Sequence, residues 1–269
     1  MKLGSSSWSL RKLFDDRSLD LLGFVDLAAD LGLDGIEPLT AVFPSVTKRF
    51  QRELRERLAA RNIELSAISI SNDFATADDC ERARQCDDLI GWIAVARELG
   101  VPCIRTFTGY NPQGVSLEVS RARVAECYAK ALPAAERANV VLAVENHSTV
   151  IGEADELLAF VMRFGSACLQ LNPDPTNFLR RDVVPEDQRE IVYTSLAKVA
   201  RHAVHSHLKI RDFDASGRPT NVDVPRLLAI YRKACYDGYL SFEYFGDGDG
   251  IEAVRKGIAY LRPLISSPV

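Results

Sequence analysis

The sequence predicts one α/β domain folded as a (β/α)8 TIM barrel, in which a closed parallel barrel is surrounded by helices. Three observations favour this fold. Short apolar segments alternate with longer helical patterns along the whole chain, which gives eight strand-then-helix units. No change of composition and no linker divides the 269 residues, so we predict a single domain over 1–269. The alternative, an open doubly wound sheet, lacks its G-x-G-x-x-G turn after the first strand.

The predicted strands are mostly apolar, as parallel strands covered by helices should be. They span 3–9, 34–39, 63–70, 103–109, 140–147, 167–174, 203–210 and 239–246. The segments between them carry apolar residues at helical spacing. These predicted helices span 18–31, 47–61, 77–99, 116–138, 153–164, 186–201, 223–236 and 249–265.

Cap signals mark several of the predicted helix boundaries. Ser18, Ser116 and Asp223 stand where a side-chain oxygen can accept a hydrogen bond from the first turn of a helix. Glycine adopts the left-handed conformation of a helix end without strain. The glycines expected at helix ends are Gly32, Gly100, Gly165 and Gly238.

Composition and charge exclude several classes of function. The formal net charge is -4 and the pI about 5.7, so no overall positive field attracts nucleic acid or an anionic membrane. No apolar run suits a membrane span or a signal peptide. The six scattered cysteines are typical of reduced thiols. We expect a cytoplasmic protein without nucleic-acid or membrane partners, and the sequence leaves a homo-oligomer open.

The loops after the predicted strands are longer and chemically richer than the turns before them. They include 40–50, 110–116, 175–187 and 211–223. In a barrel of this kind, the loops after the strands build the active-site face. We therefore predict that any active site lies at the carboxyl-terminal mouth.

The last four predicted strands carry residues able to bind a metal ion. In chain order these are Glu145 and His147, Asp174, His205 and His207, and Glu243. Side chains alternate between the two faces of a strand. Apolar residues are assigned to the helix-facing positions, namely Leu142, Val144, Val204 and Leu208. The polar set, together with Lys209, is therefore predicted to point into the barrel.

Three carboxylates that converge in a partly dry mouth repel one another unless a positive charge lies between them. Two Glu, one Asp and one His form an oxygen-rich ligand set, which suits Mn²⁺, Co²⁺ or Mg²⁺ better than structural Zn²⁺. The predicted ligands of one divalent metal ion are Glu145, Asp174, His207 and Glu243. We favour Mn²⁺, with Co²⁺, Mg²⁺ and Zn²⁺ left open. His205 is either a core histidine or one that supports a ligand.

Four motifs resemble the xylose-isomerase-like TIM barrel superfamily, in particular its sugar phosphate isomerase/epimerase branch. They are AVENH (143–147), LNPDPTNF (171–178), HSHLKIRD (205–212) and YDGYLSFEYF (236–245). LDGIEP (33–38) also resembles the family's second-strand segment, in which a glutamate like Glu37 ends the strand. The resemblance covers nearly the whole chain.

The resemblance implies that the same four ligands bind one metal ion and that Glu145 and Glu243 are the catalytic residues that exchange a proton on opposite faces of a sugar. The candidates for substrate contact are Glu37, His147, Asn177, His205, Lys209 and Arg211. An arginine that the family's ketose 3-epimerases place six residues after the metal histidine is absent, because position 213 is Phe213. Arg211 is the candidate replacement.

A keto sugar bound to a cation through its carbonyl and a neighbouring hydroxyl has an acidic C–H bond, and the cation stabilises the enediolate formed when a carboxylate removes the proton. We therefore predict a divalent-metal-dependent sugar isomerase or epimerase with a small carbohydrate substrate. A dehydratase or lyase acting on a keto-sugar or keto-cyclitol is the alternative. An apurinic-site endonuclease-like hydrolase is disfavoured, because the chain has 4 histidines and an acidic balance. The intact ligand set disfavours a non-catalytic binding protein.

Overall fold

The structure is a computed structural model that describes residues 1–179 and 189–266. The strands are β1 (Lys2–Ser6), β2 (Gly35–Glu37), β3 (Glu64–Leu65), β4 (Ile68–Ser69), β5 (Cys103–Thr106), β6 (Val141–Glu145), β7 (Leu169–Asn172), β8 (Ser206–Ile210) and β9 (Tyr239–Tyr244). The α-helices are α1 (Arg11–Asp15), α2 (Leu21–Leu31), α3 (Lys48–Arg61), α4 (Asp79–Leu99), α5 (Leu117–Ala138), α6 (Ala154–Phe164), α7 (Arg189–Val199), α8 (Val224–Lys233) and α9 (Gly250–Ser266). Each predicted element has a counterpart, although the predicted loop beyond 179 and the predicted helix start at 186 lie outside the described residues. None of the described helices is long and apolar enough to cross a membrane.

The strands close into a parallel barrel, which confirms the predicted fold. One sheet has the order β3-β2-β1-β9-β8 and the other β4-β5-β6-β7. Parallel bridges join their edges, from Leu39 to Ser69 on one side and from Leu171 to Ala203 on the other. The predicted third strand is divided, since β3 pairs with β2 while β4 pairs with β5. When β3 and β4 are counted as one strand, the barrel has eight strands.

The main apolar core lies between the strands and the helices, where Leu142, Val144 and Leu208 are buried as predicted. A smaller cluster of Ala67, Cys103 and Ala143 lies inside the barrel. Val204 packs against this second cluster, so its predicted position on the helix side is wrong. β8 begins only at residue 206, and the alternation of faces does not extend back to a residue outside the ladder.

Two of the three predicted helix starts are confirmed. Ser116 and Asp223 each accept a hydrogen bond from the backbone N–H three residues further on. Ser18 is wrong, because the helix begins later, at Leu21, and Asp20 is its cap. Asp and Ser are both favourable cap residues, so residue type alone did not show whether the helix begins after Ser18 or after Asp20.

Three of the four predicted glycine helix ends are confirmed, since Gly32, Gly100 and Gly165 adopt left-handed backbone angles there. Gly238 is wrong. α8 already ends at Lys233, and Cys235 takes the left-handed conformation with φ 58°. Gly238 instead allows close packing, because a Cβ there would lie 2.6 Å from the hydroxyl oxygen of Tyr236.

α9 packs onto β9 at Gly257, where a Cβ would overlap the buried ring of Phe242. We expect Gly257→Ala to lower the free energy of unfolding by about 1–3 kcal/mol, as overpacking does. Gly91→Ala in α4 is the matched control, because no atom outside its own helix lies within 4 Å of the new Cβ. It should raise the free energy of unfolding by about 0.5–1 kcal/mol. Urea unfolding followed by tryptophan fluorescence measures both, and a neutral Gly257→Ala would contradict the packing.

Candidate active site

All four predicted metal ligands lie at the carboxyl-terminal end of the barrel. Glu145, Asp174 and His207 are buried, and one donor atom from each lies within 4.8 Å of the others. Glu243 lies beside them at the edge of the cluster, with its Oε2 4.0 Å from His207 Nδ1. In the pairing of β8 with β9, Glu243 lies opposite Lys209, which is two residues beyond His207. Glu243 is therefore displaced along the strands from His207.

The atoms that these three residues turn toward one another have no hydrogen-bond partner. They are Oε2 of Glu145, Oδ2 of Asp174 and Nδ1 of His207. The other carboxylate oxygens are satisfied, since Asn177 donates to Glu145 Oε1 at 2.9 Å and the Thr176 hydroxyl donates to Asp174 Oδ1 at 2.8 Å. A buried polar atom without a partner costs about 1–3 kcal/mol. Three such atoms facing one another fit the donor set of a bound cation.

Glu37 contacts the second ring nitrogen of His207, Nε2. Its Oε1 lies 2.8 Å from His207 Nε2, and the hydroxyls of Ser69 and Ser241 also donate to its carboxylate. Glu37 is fully buried. Its carboxylate therefore lies beneath the ligand cluster and not at the surface of the mouth, where a substrate contact was predicted.

A second group of possible ligands consists of Glu37, His205 and His207, and the Nε2 atoms of both histidines already have protein partners. His205 Nδ1 lies 2.9 Å from Asn172 Oδ1, and His205 Nε2 lies 3.2 Å from Ser66 Oγ. Burial lowers the pKa of His205 to about 4, so its ring is neutral near pH 7. His205 is therefore a neutral, buried histidine held by Asn172 and Ser66 beside the candidate ligands.

With a neutral His207, the formal charges around the cluster leave an excess of negative charge. Two cations among the described residues lie against the carboxylates. The Arg105 Nε is 3.3 Å from Glu145 Oε2, and the Lys209 Nζ is 3.7 Å from Glu243 Oε2 and 3.8 Å from Asp174 Oδ2. With Glu37 there are four carboxylates and two cations, so a divalent ion brings their formal charge to zero.

The two candidate catalytic glutamates have opposite pKa shifts. Burial raises the pKa of Glu145, but the nearby His207 and Arg105 outweigh it and bring the pKa down to about 2. Burial raises the pKa of Glu243, and the like charges of Glu145 and Asp174 raise it further. Glu145 is therefore the carboxylate that stays ionised, and Glu243 is the one that takes up a proton more readily.

The remaining predicted contact residues lie nearer the rim. Asn177 bridges Glu145 and Lys209, since its Oδ1 accepts a hydrogen bond from Lys209 Nζ at 3.2 Å. His147 is exposed, and its Nδ1 lies 2.8 Å from the hydroxyl oxygen of Tyr110. The Arg211 side chain is 41% exposed. Arg211 is therefore not part of the buried cluster.

Position 213 does not supply a polar group to the cluster. The Phe213 ring stacks on Phe242 with ring centroids 6.4 Å apart and planes 7° from parallel. Phe242 faces α9, where it packs on Gly257. The aromatic residue at this position therefore contributes to packing on the helix side of β9.

Sequence reasoning did not select two residues that the structure brings to the candidate site. Arg105 is 3% exposed, and its guanidinium donates to Ser69 Oγ and to the Ile70 carbonyl. An arginine at the end of an apolar strand was a usable signal. Asn146 exchanges two hydrogen bonds with the backbone of Asp174, at 2.8 and 2.9 Å, and nothing in the local pattern distinguished it.

These features define a closed parallel barrel with a buried carboxylate–histidine centre at its mouth. The chain belongs to the xylose isomerase-like TIM barrel family, whose family model matches residues 25–264. A solved structure of an L-ribulose 3-epimerase is 20% identical with a TM-score of 0.75, and the alignment covers 98% of this chain and 94% of that chain. A 3-keto-D-glucoside 4-epimerase from E. coli is 16% identical with a TM-score of 0.78, covering 98% and 99%. At such identities the likeness shows the fold.

One curated protein is related over a short segment. The C-glycoside deglycosidase alpha subunit of Arthrobacter globiformis is 33% identical over 72 residues, which are 24% of this chain and 20% of that protein. The chain therefore matches about a fifth of the length of this relative.

Proposed function

We propose that the chain is a divalent-metal-dependent sugar isomerase or epimerase. The observation that carries this proposal is the set of three buried, unpartnered donor atoms on Glu145, Asp174 and His207, with Glu243 beside them. The balance of four carboxylates against two cations supports a doubly charged guest. Two structural neighbours are named as sugar epimerases, which supports the class of reaction.

Glu145, Asp174, His207 and Glu243 would hold one cation. Three carboxylates and one imidazole suit Mn²⁺, with Co²⁺, Mg²⁺ or Zn²⁺ as alternatives. When bound, the cation acts as a Lewis acid that stabilises the negative charge developing on the oxygens of the substrate.

Glu145 and Glu243 have the properties of a base and an acid. Glu145 stays ionised, and Asn177 and Arg105 hold its carboxylate in place, so it can remove a proton from a carbon next to a carbonyl. Glu243 lies beside the cluster, with its Oε2 4.0 Å from His207 Nδ1, so it is placed to deliver a proton. In an epimerase the two residues would exchange these roles on opposite faces of the sugar.

Contact with the sugar hydroxyls is assigned to Asn177, Lys209 and His147. Asn177 and Lys209 already reach the two glutamates, and His147 lies at the rim against Phe107, with ring centroids 5.1 Å apart. Arg211, also toward the rim, would meet only the outer part of a substrate. Because Glu37 and His205 are buried against protein partners, we assign Glu37 to support of the ligands and His205 to the core beside them.

A lyase is the second candidate. The segment related to a C-glycoside deglycosidase favours it, since that name describes bond cleavage and not epimerisation. The first step is shared, because removal of a proton next to a carbonyl also permits loss of a group from the next carbon. The two candidates therefore differ in the fate of the carbanion and not in the residues that form it.

The test is hydrogen exchange in D₂O. The Mn²⁺-loaded protein is incubated with ketoses, inososes, 3-keto-glycosides and hydroxy-keto acids, and the C–H signals are followed by ¹H NMR. We expect deuterium to enter next to the carbonyl of at least one compound, with a new epimer or isomer formed. An unsaturated product would favour the lyase. No exchange on any compound, with or without Mn²⁺, would contradict both candidates.

A further inference from the structure

We infer that Glu37 is a positioning residue that determines which nitrogen of His207 faces the cation, and that it acts within a closed ring of buried side chains. The role rests on the proposed function, because a ligand histidine requires a metal ion. It goes further in naming a residue outside the ligand set that controls how tightly the cation is held.

The ring joins five residues beneath the mouth. Arg105 Nε lies 3.3 Å from Glu145 Oε2 and donates to Ser69 Oγ at 3.1 Å. The Ser69 hydroxyl donates to Glu37 Oε1, which lies 2.8 Å from His207 Nε2. His207 Nδ1 lies 3.4 Å from Glu145 Oε2 and closes the ring. Each of these residues is at most 3% exposed.

The direction of each hydrogen bond in the ring follows from the chemistry of the arginine. Arginine only donates, so Ser69 accepts from Arg105 and gives its single hydroxyl proton to Glu37. The other carboxylate oxygen of Glu37 accepts from the Ser241 hydroxyl. Both oxygens of Glu37 are acceptors, so the His207 Nε2 must be the donor.

The consequence concerns the opposite nitrogen of the same ring. With the proton kept on Nε2, the lone pair of Nδ1 is directed at the unpartnered oxygens of Glu145 and Asp174. The ring also fixes His207 relative to Glu145, because Arg105 and Ser69 connect Glu145 to Glu37. Partners of this kind orient a ligand histidine and typically contribute 10–100-fold to metal affinity.

The test compares Mn²⁺ binding by metal-stripped proteins, measured by electron paramagnetic resonance of the free ion. We expect Glu37→Gln, which keeps the shape and removes the charge, to raise the Kd for Mn²⁺ by about 10–100-fold. Ser69→Ala should raise it less. The double variant should fall short of the product of the two effects, because both act through one ring.

Ser66→Ala is the matched control. It removes a buried hydroxyl that donates to the Ile36 carbonyl and lies 3.2 Å from His205 Nε2, in the same layer of the barrel but outside the ring. It should cost stability and leave the Kd for Mn²⁺ unchanged. An equal loss of affinity in Ser66→Ala and Glu37→Gln would overturn the specific role of Glu37.

A second readout reports the nitrogen directly and needs no activity. The chain has 4 histidines, so ¹⁵N-histidine NMR of the Zn²⁺-loaded protein gives few signals, and loss of one in His207→Asn assigns His207. We expect its proton on Nε2, shifted downfield by the carboxylate, and a smaller shift in Glu37→Gln.

Binding through Nε2 would overturn the inference, as would a Kd for Glu37→Gln within twofold of the wild-type value. Wild-type protein that binds no Mn²⁺ would overturn the proposed function as well. The two failures are therefore distinguishable. If Glu37→Gln fails to fold, Ser69→Ala and the wild-type spectrum still decide the question.

Discussion

Glu145→Gln and Glu243→Gln should each lower kcat for net epimerisation by ~10²–10⁴-fold, the usual contribution of a positioned acid or base. Each variant should still exchange the C–H proton of one epimer, and the two should differ in which epimer they exchange. The reason is that each glutamate serves one face of the sugar, so the glutamate that remains continues to remove a proton from its own face. Deuterium incorporation into each purified epimer measures this.

Glu190→Gln is the control for these variants, because Glu190 is exposed and paired with Arg226 on the outer helices, with an Oε1 to Nη1 distance of 2.5 Å. It should retain full activity. Mn²⁺ content is measured in parallel, since both glutamates are also candidate ligands, and saturating Mn²⁺ separates lost binding from lost proton transfer. Exchange of both epimers by either variant would contradict the assignment of one glutamate to each face of the sugar.

The sequence was sufficient to predict the ligand cluster because strand parity needs only local information. Glu145 lies two residues beyond Ala143, which faces the barrel interior, and His207 shares its face with Lys209. In a closed barrel the ends of such strands converge on the mouth. The convergence of Glu145 and His207 therefore follows from the fold class and the alternation of faces together, and Asp174 joins them because it lies just beyond the end of β7.

The supporting network could not be predicted in the same way, because it depends on contacts between distant strands. Ser69 lies opposite Arg105 in the pairing of β4 with β5 and links it to Glu37. The continuous pattern over 63–70 did not indicate that the predicted third strand divides into β3 and β4. Glu37 was expected to contact substrate. Its burial beneath His207 depends on a contact between two distant strands, which the local sequence pattern does not contain. Phe213 shows a further limit, since no local pattern states that its ring packs on Phe242.

Removal of the cation should abolish catalysis and lower the melting temperature. A cation at 100–1,000 times its Kd stabilises the folded chain by about 2.7–4.1 kcal/mol. For a domain of this size, 1 kcal/mol corresponds to roughly 2–4 °C, so we expect a loss of about 5–15 °C. Chelation, followed by calorimetry and by readdition of Mn²⁺, measures the effect. An unchanged melting temperature after verified metal removal would contradict the proposed centre.

Removal of the cation should lower the melting temperature of the wild type, whereas Asp174→Asn should raise the melting temperature of the metal-free protein. In the metal-free protein, Asp174 Oδ2 is buried near Glu145 without a hydrogen-bond partner, and its contact with Lys209 Nζ is long, at 3.8 Å. Loss of the negative charge should therefore relieve repulsion and raise the melting temperature above that of metal-free wild type. The same variant should gain nothing from Mn²⁺, because a ligand is lost. Asp155→Asn is the control, since Asp155 is exposed on the outer helices and pairs with Lys198 at 2.7 Å, and it should respond to Mn²⁺ as wild type does. A metal-free Asp174→Asn protein that melts below metal-free wild type would show that the carboxylate stabilises the fold without a cation, and that the cluster is an ion-pair network and not a metal centre.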